Sequence, residues 1–251
     1  MTIRAVLFDL DDTLFDHWHS TNQALEALQG VFPAFRRWSV PEFGARHSHL
    51  LEQFHLEVLA GRLSVDEARI RRFSQLMEDA GWAADRSAAV ALSPSEMRAA
   101  AARMAIDYRR AYVSAWRLVP GAFALLEALH PLAPIGVITN NVVDEQLDKI
   151  RTCGLEPFLD TVVISEEAGV TKPDPRIFEI ALARLGCEAD EVVMVGDTWT
   201  ADIVGARAAG IRAVWFNRFG AVAPPEPAAV AEIRSYAPSA AAVKVILGSG
   251  T

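Results

Sequence analysis

The chain has 251 residues, a length that predicts one large domain or a core domain that carries an insertion. Apolar residues make up 51% and charged residues 22% of the sequence, a composition that is typical of a globular protein and excludes a disordered or collagen-like chain. The formal net charge of −8 at pH 7 argues against a surface that binds nucleic acid or an anionic membrane.

The first predicted element is a buried strand at residues 5–8, which ends at Asp9. This apolar run is shorter than the apolar region of about 7 to 15 residues in a secretory signal. Elsewhere the sequence contains no stretch that approaches the roughly 18 consecutive apolar residues of a membrane span. We therefore expect a cytoplasmic protein that has neither a membrane nor a nucleic-acid partner.

A long helical pattern follows the first strand. Residues 17–116 are rich in Ala, Leu, Arg and Glu and carry apolar residues at helical spacing. Pro120 and Gly121 mark the return to shorter elements. We therefore predict a helical domain at 17–116, inserted into a core domain formed by residues 1–16 and 117–251.

Histidines and cysteines do not show metal-binding spacing. Five of the six histidines fall in the predicted insertion: His17, His19, His47, His49 and His55. Neighbours two positions apart do not share a helix face, so we expect solvated residues or distal substrate contacts instead of a metal cluster. Cys153 and Cys187 are predicted to be reduced and partly buried.

Four further apolar runs predict strands in the second half of the chain, at residues 134–138, 161–164, 192–195 and 213–216. They are continuous and β-branched, which is typical of parallel strands covered on both faces. Helix-length segments alternate with them, at residues 121–129, 143–153, 175–185 and 201–209. A short strand near Ile233 and a helix at about 240–247 follow. This order predicts an α/β fold with a doubly wound parallel sheet.

Polar motifs stand at or near the ends of four predicted strands. They are Asp9-Leu10-Asp11-Asp12-Thr13, Thr139-Asn140-Asn141, Thr171-Lys172-Pro173-Asp174 and Gly196-Asp197-Thr198 with Asp202 beyond it. Each motif alone is also compatible with a turn or a helix cap. Since ligands bind at the carboxyl ends of the strands in open α/β sheets, the four motifs together predict a functional site.

These motifs resemble the haloacid dehalogenase superfamily, in its phosphatase branch with a helical cap inserted after the first strand. The stretches VPGAFALLEAL, IGVITNN, VVISEEAGVTKPDPRIFEIAL and VVMVGDTWTADIVGARAAGI are similar to the capped 5′-nucleotidases of that superfamily. The resemblance covers the whole core. It implies a Rossmann-like parallel sheet, an α-helical C1 cap, a bound Mg²⁺ and a covalent aspartyl-phosphate.

The resemblance implies roles for four aspartates. Asp9 is the expected nucleophile and, with Asp197, supplies side-chain oxygens to Mg²⁺. Asp11 supplies a backbone carbonyl to the metal and acts as general acid and then general base. Asp202 is expected to orient the metal waters or the active-site lysine.

Three more residues are expected to bind the phosphoryl group. Thr139 offers a hydroxyl, Asn140 a backbone N–H and Lys172 an ammonium that bridges the nucleophile and the phosphate. A carboxylate that approaches a phosphate dianion is repelled by about 4 kcal/mol per charge pair at 4 Å and an effective dielectric near 20, so cations are needed. Glu166 and Glu167 precede the lysine motif and are further candidates for the metal shell.

The predicted reaction is Mg²⁺-dependent hydrolysis of a small phosphorylated metabolite, with a nucleoside 5′-monophosphate as one candidate. Sugar phosphates, acylneuraminate phosphates and phosphoglycolate are alternatives, and a phosphomutase is a further one. A 2-haloacid dehalogenase is disfavoured because a departing halide needs no acid such as Asp11. A phosphate-binding regulatory module would have no need of Asp11 beside Asp9. The sequence leaves monomer and homodimer both open.

Overall fold

The structure is a computed structural model that describes residues 2–82, 93–225 and 230–248. The chain divides into two compact units. One unit comprises Met1–Asp16 and Arg117–Thr251, and the other comprises His17–Trp116. The second unit is therefore an insertion within the sequence of the first.

The larger unit is built on a parallel six-stranded sheet with the strand order β3-β2-β1-β4-β5-β6. The strands are β1 Ala5–Phe8, β2 Ile135–Thr139, β3 Thr161–Ile164, β4 Val192–Gly196, β5 Arg212–Phe216 and β6 Ala231–Ile233. Because β1, β2 and β4 are fully buried, their sequences are continuous apolar runs. The predicted α/β fold with a Rossmann-like parallel sheet is confirmed.

Sheet order decides which strand ends meet. Strand β1 lies between β2 and β4, and its last residue, Phe8, is in register with Val137 on one side and Val195 on the other. The residues that follow these three strands therefore emerge at the same edge of the sheet. That edge brings together motifs that are more than a hundred residues apart in the sequence.

Helices flank the sheet. They are α5 Ala122–Leu129, α6 Val143–Thr152, α7 Ser165–Ala168, α8 Pro175–Leu185, α9 Gly205–Ala208 and α10 Ser239–Leu247. Helix α8 begins where the Asp174 side chain accepts a hydrogen bond from the backbone N–H of Arg176, and it ends at Gly186 in the left-handed conformation. One face of the sheet packs against Ile177 and Phe178 of α8.

The predicted helix at 201–209 differs from the observed segment. The chain forms a π-helical turn at Trp199–Val204 and continues as α9. The segment starts earlier because the Asp202 carboxylate accepts a hydrogen bond from the backbone N–H of Thr198 at 2.9 Å and draws this turn into the helix. At Gly205 a Cβ would lie 2.9 Å from Cα of Pro173, so only glycine permits this close packing.

The inserted unit is helical. Its helices are α1 His17–Val31, α2 Val40–Leu59, α3 Val65–Asp79 and α4 Pro94–Ser114, with a 3₁₀ turn at Pro33–Arg37. Capping boxes at Ser39 and Ser93 start α2 and α4, and Ser64 caps α3. Among the described residues, no helix is both long and apolar enough to cross a bilayer.

His47 corrects the expectation of solvated or substrate-contacting histidines. It is fully buried, on the same face of α2 as Phe43 and Leu50, and its ring centroid lies 4.8 Å from that of Tyr108. Burial, reinforced by the positive charge of Arg72, holds the pKa of His47 well below its usual value. His47 is therefore a neutral core residue of the helical unit.

Candidate active site

The loop after β1 is a tight turn that places Asp9 and Asp11 near each other. The backbone N–H groups of Leu14 and Phe15 both donate to the carbonyl of Leu10, at 2.9 and 2.8 Å. Asp12 takes a left-handed conformation with φ of 63°, which aspartate tolerates better than most side chains. The turn thus ends the extended strand, along which the side chains of Asp9 and Asp11 would diverge.

Arg218, which follows β5, stabilises this turn. Its guanidinium donates hydrogen bonds to Asp12 at 2.9 Å and to Asp16 at 2.7 Å, and Arg117 donates to Asp16 at 2.8 Å. The Asp16 side chain is almost completely buried. These charge-assisted hydrogen bonds offset the free-energy cost of the left-handed backbone at Asp12 and of burying the Asp16 carboxylate.

Lys172 occupies the centre of the site. Its ammonium donates to Asp9 Oδ1 at 2.6 Å, to Asp202 Oδ1 at 2.7 Å and to the carbonyl of Ile138 at 2.8 Å. An ammonium has three donors, and all three are used here. Burial disfavours the charged form, but the charges of Asp202 and Asp9 outweigh it and hold the pKa of Lys172 above its usual value.

Three carboxylates converge beside this lysine. Ligand oxygens of Asp9, Asp197 and Asp202 all lie within 4.8 Å of one another. Burial, together with the negative charge of Asp202, raises the pKa of Asp9 to about 7. Burial and the charge of Asp9 also raise the pKa of Asp197 well above its usual value. Crowded, buried carboxylates with raised pKa values fit a divalent cation that prefers hard oxygen ligands, such as Mg²⁺.

Asp197 is held through its backbone by two side chains, and Asp202 is held through its carboxylate. The carbonyl of Asp197 accepts a hydrogen bond from Trp215 Nε1 at 2.8 Å, and its N–H donates to Thr13 Oγ1 at 3.1 Å. Asp202 is fully buried, with Lys172 on one oxygen and the N–H of Thr198 on the other. A Cβ at position 196 would lie 2.3 Å from the Asp202 carboxylate, so Gly196 makes this approach possible.

The loop after β2 joins the lysine loop. The Asn140 side chain donates to the carbonyl of Lys172 at 2.9 Å and accepts from its N–H at 2.8 Å. Thr139 is buried, and its hydroxyl oxygen accepts a hydrogen bond from Gln146 Nε2 at 2.5 Å. Hydrogen bonds thus link Asn140, Asp9 and Asp202 to Lys172, whereas Thr139 is linked to Asp11 through Gln146.

Glu166 and Glu167 do not join the carboxylate cluster, contrary to the expectation for the metal shell. Glu166 accepts a hydrogen bond from the N–H of Val143 at 2.7 Å, at the start of α6. Glu167 forms an ion pair with Arg184 of α8 at 3.2 Å. Both carboxylates thus interact with neighbouring helices, because α7 turns the chain directly after β3.

Two site residues were missed by sequence reasoning. Lys149 Nζ lies 2.6 Å from Asp11 Oδ1, and Gln146 Nε2 donates to Asp11 Oδ2 at 2.9 Å. The available signal was the scarcity of lysine, since Lys149 is one of three lysines in the chain. Its position three residues after Gln146 in a predicted helix places both side chains on one face.

In the absence of divalent cations, the stability contributed by Asp9 should fall as the pH rises from about 4 to about 7. Folding raises the pKa of Asp9 from 3.8 to about 7, so this contribution is fully present at low pH and is lost as the folded carboxyl ionises. A bound cation would favour the ionised form. Added Mg²⁺ should therefore raise the melting temperature more at about pH 8 than at about pH 5.

The comparison is made between melting curves with and without Mg²⁺ at each pH. His47 acts in the opposite direction, because its lowered folded pKa makes stability fall as the pH drops below 6.5. Subtracting the two curves removes that contribution. An equal Mg²⁺-induced shift at both pH values would contradict the placement of the cation beside Asp9.

The chain is similar in sequence to phosphatases. It is 34% identical over 253 residues to a phosphoserine phosphatase from Thermus thermophilus, covering 92% of this chain and 95% of that protein. It is 43% identical over 100 residues to the pyrimidine 5′-nucleotidase YjjG from Escherichia coli, covering 39% of this chain and 44% of that protein.

The fold is similar to that of a solved hydrolase. The magnesium-bound crystal structure of the HAD-hydrolase YfnB from Bacillus subtilis has a TM-score of 0.73 and 27% sequence identity, and covers 99% of this chain and 100% of that chain. A sequence profile of haloacid dehalogenase-like hydrolases matches residues 3–210. Because the profile spans the first four strands of the sheet and the inserted helical unit, the chain belongs to the haloacid dehalogenase-like hydrolase family.

Proposed function

We propose that this protein is a Mg²⁺-dependent phosphomonoester hydrolase that acts on a small phosphorylated metabolite through an aspartyl-phosphate. One observation carries the proposal: the buried carboxylate of Asp9 lies 2.6 Å from the ammonium of Lys172, within a cluster of three carboxylates. This arrangement supplies a nucleophile and a positive charge at one place. The names of the phosphatase relatives support the same class of reaction.

In the first half-reaction, a carboxylate oxygen of Asp9 attacks the phosphorus atom of a phosphate monoester. The bond from phosphorus to the leaving-group oxygen breaks, and its electron pair stays on that oxygen. The carboxyl group of Asp11 gives that oxygen a proton, and the alcohol departs. Lys172 reduces the repulsion between the nucleophile and the anionic phosphoryl group.

In the second half-reaction, water attacks the phosphorus atom of the aspartyl-phosphate. Asp11, now a carboxylate, takes a proton from the water while the bond from phosphorus to Asp9 breaks. Inorganic phosphate departs, and both aspartates return to their starting states. The hydroxyl of Thr139 and the backbone N–H of Asn140 donate to the phosphoryl oxygens throughout.

The metal would be held by side-chain oxygens of Asp9 and Asp197 and by the backbone carbonyl of Asp11. When bound, Mg²⁺ supplies positive charge that offsets the negative charge of the phosphoryl group and the carboxylates. Asp202 already accepts hydrogen bonds from Lys172 and from the backbone N–H of Thr198. Of the two roles expected for Asp202, these contacts support the one of keeping Lys172 in place.

The substrate is not selected by these residues, since they bind the phosphoryl group that all candidates share. We propose a nucleoside 5′-monophosphate as the first candidate, supported by the 43% identity to a pyrimidine 5′-nucleotidase over 100 residues. Sugar phosphates, acylneuraminate phosphates and phosphoglycolate are the alternatives. We assign the choice among them to the helical unit at His17–Trp116, acting as a cap.

A panel of phosphorylated metabolites tests this function. We expect the purified protein to release inorganic phosphate from at least one nucleoside monophosphate in the presence of Mg²⁺. Addition of EDTA should abolish that release, and excess Mg²⁺ should restore it. The panel also includes a 2-haloacid, with halide release as the readout.

Three results would contradict the proposal. Phosphate release that persists in EDTA would remove the metal role, and halide release without phosphate release would assign the protein to dehalogenation. Transfer of the phosphoryl group to a second substrate in place of water would indicate a phosphomutase. Hydrolysis of sugar phosphates alone would keep the reaction and replace the first candidate substrate.

A further inference from the structure

Helix α6 places two polar side chains inside the protein beside Asp11. Gln146 is 0% exposed and Lys149 is 1% exposed, although both residue types normally lie at the surface. They are three residues apart, so they lie on the same face of the helix. The other charged residues of α6 lie at or near solvent, so Lys149 is the exception among the charged residues of this helix.

These two residues engage both oxygens of the Asp11 carboxylate. Lys149 Nζ donates to Oδ1 at 2.6 Å, and Gln146 Nε2 donates to Oδ2 at 2.9 Å. The Lys149 ammonium also lies 5.0 Å from the centre of the Phe15 ring, which restricts its position further. Two contacts on two oxygens fix both the position and the plane of a carboxyl group.

Gln146 connects Asp11 with Thr139. The same Nε2 that donates to Asp11 also donates to Thr139 Oγ1, at 2.5 Å. Since the Thr139 oxygen accepts this hydrogen bond, its own proton must point elsewhere.

Stability does not explain the burial of Lys149. Removing an ammonium from water is costly, and a buried ion pair often contributes less than an apolar side chain of the same size. The Asp11 side chain is 26% exposed, so water could solvate it without Lys149. Since water could solvate Asp11 in its place, the buried ammonium of Lys149 indicates that the orientation of the Asp11 carboxylate is what must be kept.

We propose that Lys149 and Gln146 are positioning residues that hold Asp11 in the direction required for proton transfer to the leaving group. Gln146 in addition orients the Thr139 hydroxyl toward the phosphoryl group. Both residues act through Asp11 and Thr139, and neither transfers a proton itself. This inference rests on the proposed function, because it acts through Asp11 as the general acid.

The test compares two substrates of similar size whose leaving groups differ in their need for a proton. A nitrophenolate departs from para-nitrophenyl phosphate as a stable anion, whereas the alkoxide of benzyl phosphate must be protonated. Rates are measured in the first turnover with Mg²⁺ present. We expect Lys149→Met to slow the reaction of benzyl phosphate by about tenfold or more and that of para-nitrophenyl phosphate by less than about threefold.

A double-mutant cycle shows whether Lys149 acts through Asp11. In the Asp11→Asn background, Lys149→Met should cause no further selective loss with benzyl phosphate. Gln146→Leu, with Lys149 in place, should slow both substrates through Thr139 and should slow benzyl phosphate more than para-nitrophenyl phosphate; this variant also serves if Lys149→Met does not fold. Lys244→Met, a change of an exposed lysine, is the matched control and should leave both rates unchanged.

The outcomes separate this inference from the proposed function. An equal loss with both substrates, or a selective loss that persists without the Asp11 carboxyl, would overturn the positioning role while leaving the phosphatase function intact. A wild-type protein that hydrolyses neither substrate would overturn the proposed function itself, and the inference with it.

Discussion

Asp9→Asn is expected to abolish phosphate release, with a loss in kcat of about 10⁴-fold or more. The amide has nearly the same shape as the carboxylate, but its nitrogen and carbonyl oxygen are poor nucleophiles toward phosphorus. Folding should survive, because the change removes a buried group whose pKa is raised to about 7 and so relieves crowding among the three carboxylates. The measurement is phosphate release at saturating substrate, together with a melting curve.

Asp148→Asn is the matched control for this change. Asp148 lies on α6 with about half of its side chain exposed, in an ion pair with Arg151 at 3.1 Å. Exposed pairs of this kind contribute at most about 1 kcal/mol, so both activity and stability should stay near wild type. Residual turnover of Asp9→Asn within about tenfold of wild type would refute the nucleophile assignment.

Lys172 substitutions should separate the requirement for charge from the requirement for geometry. Lys172→Met removes the cation shared by Asp9 and Asp202 and leaves their buried carboxylates without it. Removing one partner of a buried ion pair costs about 3 to 5 kcal/mol, so the free energy of unfolding should fall by that amount. Activity should fall below detection. The measurements are denaturant unfolding and phosphate release.

Lys172→Arg keeps the charge but replaces a compact ammonium by a planar guanidinium. The three acceptors around Lys172 lie within 2.6 to 2.8 Å of a single nitrogen atom, a geometry that a guanidinium fork does not reproduce. We expect kcat/KM to fall by about 100-fold through misplacement of the phosphoryl group. Lys244→Arg is the control. Near-normal kinetics of Lys172→Arg would show that the site does not require a compact ammonium at this position.

The strands of the α/β unit could be predicted from the sequence because strands that are buried on both faces of a parallel sheet consist of continuous apolar runs. The predicted runs at 5–8 and 161–164 coincide with β1 and β3. The runs at 192–195 and 213–216 differ from β4 and β5 by one residue at one end, and the run at 134–138 is shifted by one residue from β2. The helical start at Trp199 was not predicted, because a side-chain contact of Asp202 sets it.

His47 shows where local pattern reasoning failed although the signal was present. It stands four residues after Phe43 and three before Leu50, so helical periodicity places it on the buried face of α2. The expectation of solvated or substrate-contacting histidines rests instead on the two-residue spacing of His47 and His49, which argues only against a shared metal. Periodicity is the stronger guide, because a helix face is buried as a whole.

Motif residues could be recognised in the sequence because each motif stands at or shortly after a strand end, and all such ends in a parallel sheet point the same way. The chain order alone could not show that β1 lies between β2 and β4, nor which face of α6 turns inward. Those two facts bring Asp9, Lys172 and Asp202 together and place Lys149 against Asp11. Local chemistry is encoded residue by residue, whereas contacts across more than a hundred residues depend on how the sheet and its helices pack.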